Sequence, residues 1–193
     1  MYVRDAKNRE EVWLLDQIEA MGLDETAFRS RDYVVAVDEH SGEKAGFGRI
    51  RVHKTDDRDI CELTSIGVLE GWRGRGVGAH VVERLLEYAG DQGFETVYSL
   101  TGEGGYLTQF GFRRLEESKL PPALAARLED KRDGVDPEAV PYTLDVDDFE
   151  MPGRLRAAFK DASGGPDEPE TEETPEDFGI DPDSATYKYD TGR

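Results

Sequence analysis

Apolar positions change period several times along the chain, and each change marks an element. Tyr2 to Arg4 is a short strand candidate. From Asn8 to Met21, Val12, Leu15, Ile18 and Met21 fall near helical spacing, and Gly22 supplies a stop. YVVAVDE (Tyr33 to Glu39), a turn at His40-Ser41-Gly42 and AGFGRIRVH (Ala45 to His53) read as a β-hairpin. ICELTSIGV (Ile60 to Val68) is a further strand. Between Val77 and Gly90, Val77, Val81, Leu85 and Tyr88 share one helical face. ETVYSLT (Glu95 to Thr101) is a strand, Gly105 to Phe110 a short helix and FRRL (Phe112 to Leu115) a strand.

Helices among strands, with an antiparallel meander, give a mixed α/β sheet rather than a parallel one. Pro121-Pro122 opens a helix candidate, ALAARLEDKR, with proline in the first turn, where it is tolerated. PYTLDVDDF (Pro141 to Phe149) reads as a strand and PGRLRAAFK as a final short helix, a stretch that also offers a homodimer contact. From Asp161 on, acids, prolines and small polar residues leave too little apolar surface to offset the entropy of ordering. The expected organisation is one domain over residues 1–160 and a disordered acidic tail over 161–193.

Composition narrows the function. The formal charge of -19 opposes general binding to nucleic acid or anionic membrane. Acid is spread along the whole chain and Lys is scarce beside Arg, which suits a halophilic surface better than a dedicated acidic binding face. No apolar run reaches membrane-spanning length, and the start lacks a signal peptide's apolar stretch. The single cysteine, Cys61, suits a reducing cytoplasm. His40, His53 and His80 are scattered without zinc-ligand spacing, so no metal is expected.

The richest chemistry lies between a strand and a helix, in EGWRGRGVGA (Glu70 to Ala79). Gly74, Gly76 and Gly78 permit a sharp turn and close approach of a ligand to the backbone. The following helix turns unpaired N–H groups and its positive dipole end toward the loop. Arg73 and Arg75 add positive charge in an acidic protein, so the segment suits a phosphate or pyrophosphate. Gly74-x-Gly76-x-x-Ala79 also matches the loose dinucleotide fingerprint. Five residues separate Val68 from Gly74, however, the preceding strands form a hairpin, and ETVYSLT ends without an acid to hold a ribose.

The segment IGVLEGWRGRGVGAHVVERLLEYA resembles the acetyl-CoA motif of GNAT acetyltransferases, Gln/Arg-x-x-Gly-x-Gly/Ala, with Arg73, Gly76 and Gly78 on its defining positions. YLTQFGFRRL resembles the family's second signature, an aromatic-containing helix running into Gly111-Phe112. The resemblance implies a GNAT-like, mostly antiparallel sheet flanked by helices, and an acetyl-CoA-dependent N-acyltransferase. In that family the strand before the loop splays from its neighbour. The resemblance therefore assigns the pantetheine arm to main-chain groups of Ile66, Gly67 and Val68. The pyrophosphate falls to N–H groups of Gly74, Arg75, Gly76, Val77 and Gly78 beside Arg73, and the thioester oxygen to an N–H near Val68.

An amine attacks a thioester only when neutral, so a base must take its proton. Glu62, eleven positions before Arg73, is similar in placement to the base of Gcn5-like members. The bland reading is a sheet carboxylate paired with Arg49 or Arg51. Tyr106 is the candidate acid for the thiolate, or else a packing aromatic beside CoA. Many family members carry the tyrosine one position later, where this chain has Leu107. Cys61 has no local histidine to activate it and reads as a buried hydrophobe.

The acceptor is less determined. Leu120-Pro121 after the Gly-Phe strand resembles N-acetylglutamate-synthase-like members and implies an amino acid, whereas Glu62 in the Gcn5-like position implies a protein lysine. Arg49 and Arg51 are candidates to receive a carboxylate, or solvated strand residues. Two further classes stand beside the enzyme: a non-catalytic CoA-binding regulatory module, and an interaction protein working through its acidic tail.

Overall fold

The computed structural model describes residues 1–162, so all but the first two residues of the acidic tail lie outside the described residues. Strands β1 (Tyr2–Asp5), β2 (Tyr33–Val37), β3 (Lys44–His53), β4 (Ile60–Val68), β5 (Thr96–Thr101), β6 (Arg113–Arg114) and β7 (Val140–Asp145) form one sheet. Its order is β1-β2-β3-β4-β5-β7-β6. Every pairing is antiparallel except β4 with β5. The helices are α1 (Glu11–Ala20), α2 (Val77–Asp91), α3 (Gly104–Thr108), α4 (Pro122–Asp133) and α5 (Gly153–Lys160).

Two layers of helices cover the sheet. Val77, Val81, Val82, Leu85, Leu86 and Ala89 of α2 pack with Val34, Ile50, Cys61, Leu63 and Val97, and Phe159 of α5 joins them. Fully burying a side chain such as Leu85 contributes about 1.5–3 kcal/mol, so α2 anchors this layer. On the other face, α1 packs on Tyr33, Val35 and Phe47, while α4 packs on Ile60 and Leu100. The α1 stripe differs from the sequence expectation. Leu14 and Ile18 are buried, whereas Val12 is 70% exposed. Val12 shares spacing with Leu15 and Ile18, but the side of α1 that meets the sheet is set by the aromatic floor of Tyr33 and Phe47.

Several boundaries move. Residues 8–10 form a 3-10 turn ahead of α1, and β7 ends at Asp145, where Val146–Asp148 turn away. Asp161 caps α5 and Ala162 is buried, so the ordered chain runs slightly past residue 160.

Two features of the sheet create the site. Beyond the pairs Cys61↔Val97 and Glu62↔Tyr98, β4 and β5 part. The Ser99 hydroxyl still donates to the Leu63 carbonyl at 3.0 Å, and past that link β4 runs on to Val68 without a β5 partner. On the other side, β4 carries a bulge against β3, where register passes from Phe47↔Gly67 to Arg49↔Thr64. Ser65 there takes φ 52°, unusual for a residue with a side chain, and its hydroxyl is fixed on the Asp24 carbonyl at 2.7 Å.

Candidate active site

A cavity of about 1260 Å³ runs from the glycine-arginine loop through the β4–β5 gap to the face covered by α4. At one end it is lined by Arg73, Gly74, Gly76, Val77, Gly78 and the α5 residues Arg154 and Leu155. Leu63, Thr64, Ser65, Ile66, Val68 and Ser99 line its middle. Asp24, Thr101, Glu103, Lys131, Asp136 and Glu138 line the far end.

The loop has features that suit an anion. Gly74 (φ 75°) and Gly76 (φ 72°) both occupy left-handed backbone, flanking Arg75, and α2 starts at Val77. Among the described residues, no main-chain N–H from Gly74 to Gly78 donates a hydrogen bond, so these donors remain for a ligand at the positive end of α2. Arg75 stacks over Trp72, its charged carbon 5.2 Å from the ring centre. Arg73 donates from Nε to the Val68 carbonyl at 3.3 Å. These features fit a pyrophosphate.

The gap fits an extended arm. Leu69 donates to the Ala45 carbonyl at 2.9 Å, so by strand alternation the main-chain N–H and C=O of Val68 point away from β3, into the gap. Ile66, two residues earlier, shares that direction, while Gly67 presses against Phe47 and Met21, where a Cβ would clash. Ile66 and Val68 line the cavity; Gly67 itself does not. Its contribution is close packing.

Tyr106 on α3 overhangs the start of α2. Its hydroxyl would stand 2.7 Å from a Cβ on Gly78, which is why a glycine suits that position. Its ring meets Phe110 edge-on at 5.3 Å, and burial pushes its pKa up to about 12, partly opposed by Arg154. The phenol is therefore protonated at neutral pH. Leu107, at the alternative tyrosine position, is buried in the core.

Glu62 is fully buried on the α4 face of β4. Its carboxylate is held by His53 Nε2 at 2.7 Å and Arg127 Nε at 3.4 Å, and its Oε1 has no hydrogen-bond partner among the described residues. Arg51 lies opposite Glu62 in register, yet neither Arg51 nor Arg49 pairs with its side chain. Arg49, fully buried, donates to the carbonyls of Thr26 (2.7 Å) and Ala27 (3.3 Å) and stands 3.9 Å from Asp24. It is neither a solvated strand residue nor open to a ligand. Cys61 is fully buried, and burial together with Glu62 lifts its thiol pKa to about 12, which removes it as a nucleophile.

Sequence reasoning missed His53, Asp24, Arg127, Lys131 and the α5 residues at the loop. Arg127 and Lys131 sit four apart on α4, a spacing that places both on one helical face. The segment PGRLRAAFK predicts helix α5 itself, but nothing local signals its place at the loop: Leu155 and Phe159 bring it against Gly76, and His80 stacks on Phe159 at 3.8 Å. Among the described residues, no group of His, Cys, Asp or Glu is arranged to hold a metal ion, and no helix is long and apolar enough to cross a membrane.

Comparison with known proteins agrees with this architecture. The profile of the Acetyltransferase (GNAT) family matches residues 3–112. The uncharacterized N-acetyltransferase CT2212 of Chlorobaculum tepidum is 28% identical over 91 residues, 47% of this chain and 56% of that protein. The chain thus spans little more than half the length of this curated relative. Among solved structures, Rv2747 from Mycobacterium tuberculosis, in complex with CoA and NLQ, superposes with a TM-score of 0.62 at 18% identity, covering 75% of this chain and 99% of that one. N-acetylglutamate synthase from Neisseria gonorrhoeae, complexed with coenzyme A and N-acetyl-glutamate, gives 0.59 at 17% identity over 75% of this chain and 34% of its own. Naa50 of Arabidopsis thaliana, bound to a bisubstrate analogue, gives 0.52 at 12% identity, covering 74% and 96%. These likenesses establish a shared fold, and the profile match over more than half of the sequence, on the loop, gap and helix described above, makes this chain a member of the GNAT acetyltransferase family.

Proposed function

We propose that this chain moves an acetyl group from acetyl-CoA to the primary amine of a small molecule or amino acid, by direct attack within a ternary complex. One observation carries the reading: a single cavity joins partnerless N–H groups at the Gly74–Gly78 loop, main-chain groups in the β4–β5 gap and the Tyr106 side chain. CoA-bound relatives of the same fold support acetyl-CoA as donor.

In this reading the Gly74–Gly78 amides and Arg73 hold the pyrophosphate, Ile66 and Val68 hold the pantetheine arm, and the Val68 N–H polarises the thioester oxygen. The amine nitrogen bonds to the acyl carbon as the carbon–sulfur bond breaks. Glu62 takes the amine's proton through an intervening water, since Leu63 and Thr64 line the cavity and Glu62 does not. Oε1 is the oxygen left to accept it. Tyr106 returns a proton to the thiolate. The free, buried Cys61 suits a reducing, cytoplasmic setting.

A protein lysine or N-terminal amine is the second acceptor reading, favoured by Glu103, Asp136 and Glu138 at the far end of the cavity, which suit a cationic peptide. CoA-thiol release with small amines, amino acids and basic peptides tests both. Release with none of them, from protein that binds acetyl-CoA, would leave a CoA-binding regulatory module instead.

A further inference from the structure

Five charged groups are buried on the α4 face beside the gap: Asp24, Arg49, Glu62, Arg127 and Lys131. Both carboxylates are ion-paired. Asp24 is bonded by Arg127 and lies near Arg49, and Glu62 is bonded by Arg127 and His53. Of the three cations, Arg49 and Arg127 stand in ion pairs with these carboxylates, and Lys131 has none among the described residues. Its Nζ donates to the Leu100 carbonyl at 2.5 Å and the Thr64 hydroxyl at 3.3 Å, both neutral, and no carboxylate pairs with it among the described residues.

The location matters as much as the charge. Thr64 is on β4 and Leu100 on β5, so Lys131 spans the two strands just beyond the point where they part, and it lines the cavity there. An ammonium has three donors, and two are used. Asp136, another cavity carboxylate, spends Oδ2 on the Gly102 N–H at 2.8 Å. Burial draws the Lys131 pKa below the ordinary lysine value, with Glu62 the largest opposing influence. A buried ammonium with no carboxylate in ion-pair contact is costly even with Glu62 and Asp136 nearby, and a ligand carboxylate would relieve that cost through a charge-assisted hydrogen bond.

We propose that Lys131 is the receptor for a carboxylate on the acceptor, so that the substrate is a free amino acid rather than a simple amine or a protein amine. This rests on the acyltransferase reading above. It also replaces Arg49 and Arg51 as the acid-binding cation, since neither lines the cavity and Arg49 is fully buried against the Thr26 and Ala27 carbonyls.

The test compares each common L-amino acid with its own α-amide, which keeps size and amine but removes the charge. CoA-thiol release is followed with wild-type protein, Lys131→Met and Lys131→Arg. The expected result is a KM for the preferred amino acid on the order of 10- to 100-fold below that of its amide, the worth of a hydrogen bond between charged groups. Lys131→Met should erase that difference by raising KM for the acid alone, with Lys131→Arg retaining part of it. Equal KM values for acid and amide in the wild type would overturn the proposal, and so would turnover of peptides only. If Lys131→Met does not fold, Lys131→Arg decides: an acid-to-amide KM ratio identical to the wild type's would overturn the role of Lys131, and a reduced one would support it. Calorimetry with acetyl-CoA separates the two levels: a folded wild type that does not bind it ends the acyltransferase reading, whereas binding with no acid preference ends only the role of Lys131.

Discussion

The main-chain carbonyl of Leu155 stands over the Cα of Gly76, inside the distance at which a Cβ on that residue would touch it. Helix α5 thus closes one side of the loop that holds the partnerless amides, and its Arg154 and Leu155 become walls of the cavity. Arg156–Glu83 at 2.7 Å and the His80–Phe159 stack fasten α5 to α2.

Gly76 and Gly74 should therefore respond differently to alanine. Both need left-handed backbone, a strain of roughly 1–2 kcal/mol for a residue with a Cβ. Around Gly74 the space is open, whereas at Gly76 the new methyl must also displace α5. Urea unfolding should show a larger loss for Gly76→Ala. In calorimetry, Gly76→Ala should lose most acetyl-CoA affinity and Gly74→Ala much less. Equal effects would mean that α5 does not constrain the loop.

Glu62→Gln keeps shape and removes the base. Turnover should fall on the order of 100- to 10,000-fold, with acetyl-CoA affinity unchanged, because Glu62 lies outside the cavity lining. The variant also leaves Arg127 and His53 without their shared carboxylate, so unfolding must be measured alongside. An unchanged turnover number would reduce Glu62 to an ion-network residue.

Tyr106→Phe tests the acid. With the phenol raised to about 12, the wild type keeps its proton donor through the whole ordinary working range, so no alkaline loss of rate from this group is expected below roughly pH 10. Removing the hydroxyl should lower the turnover number at every pH by a similar factor, and leave stability nearly untouched because the hydroxyl makes no hydrogen bond among the described residues. Full activity in the variant would confine Tyr106 to packing beside the donor.

Glu10 ties the start of the chain to its fold. Arg4 holds its carboxylate in a two-pronged bond (2.7 and 2.8 Å), and with the Lys7 N–H this draws its pKa down from 4.5 to about 2 despite burial. A lowered folded pKa stabilises above the unfolded value and loses that stabilisation as pH falls toward 2. Acid unfolding of Glu10→Gln should therefore show a flatter dependence between pH 4.5 and 2 than the wild type. Identical acid limbs would remove this contact from the stability account.

What the sequence disclosed was local. Glycines at 74, 76 and 78 at the start of an apolar helical stripe pointed to the strand-to-helix loop, and the hairpin followed from two apolar, β-branched runs around the His40-Ser41-Gly42 turn. What stayed hidden was non-local. Whether Glu62 would meet Arg51, its register neighbour, or Arg127, 65 residues away, depends on where α4 lands. In the sequence Arg49 reads as either a receptor for a carboxylate or a solvated strand cation; the fold buries it and bonds it to the Thr26 and Ala27 carbonyls. That Lys131, unlike Arg49 and Arg127, has no ion pair among the described residues becomes visible only in the folded structure.

The central claim is that the Gly74–Gly78 loop and the β4–β5 gap together hold acetyl-CoA. It is tested most directly by calorimetric titration of acetyl-CoA into the full chain in molar KCl, with Gly76→Glu as control. Micromolar, one-to-one binding that the variant loses is the predicted result. Wild-type protein that is folded by circular dichroism yet releases no heat with acetyl-CoA would contradict the account.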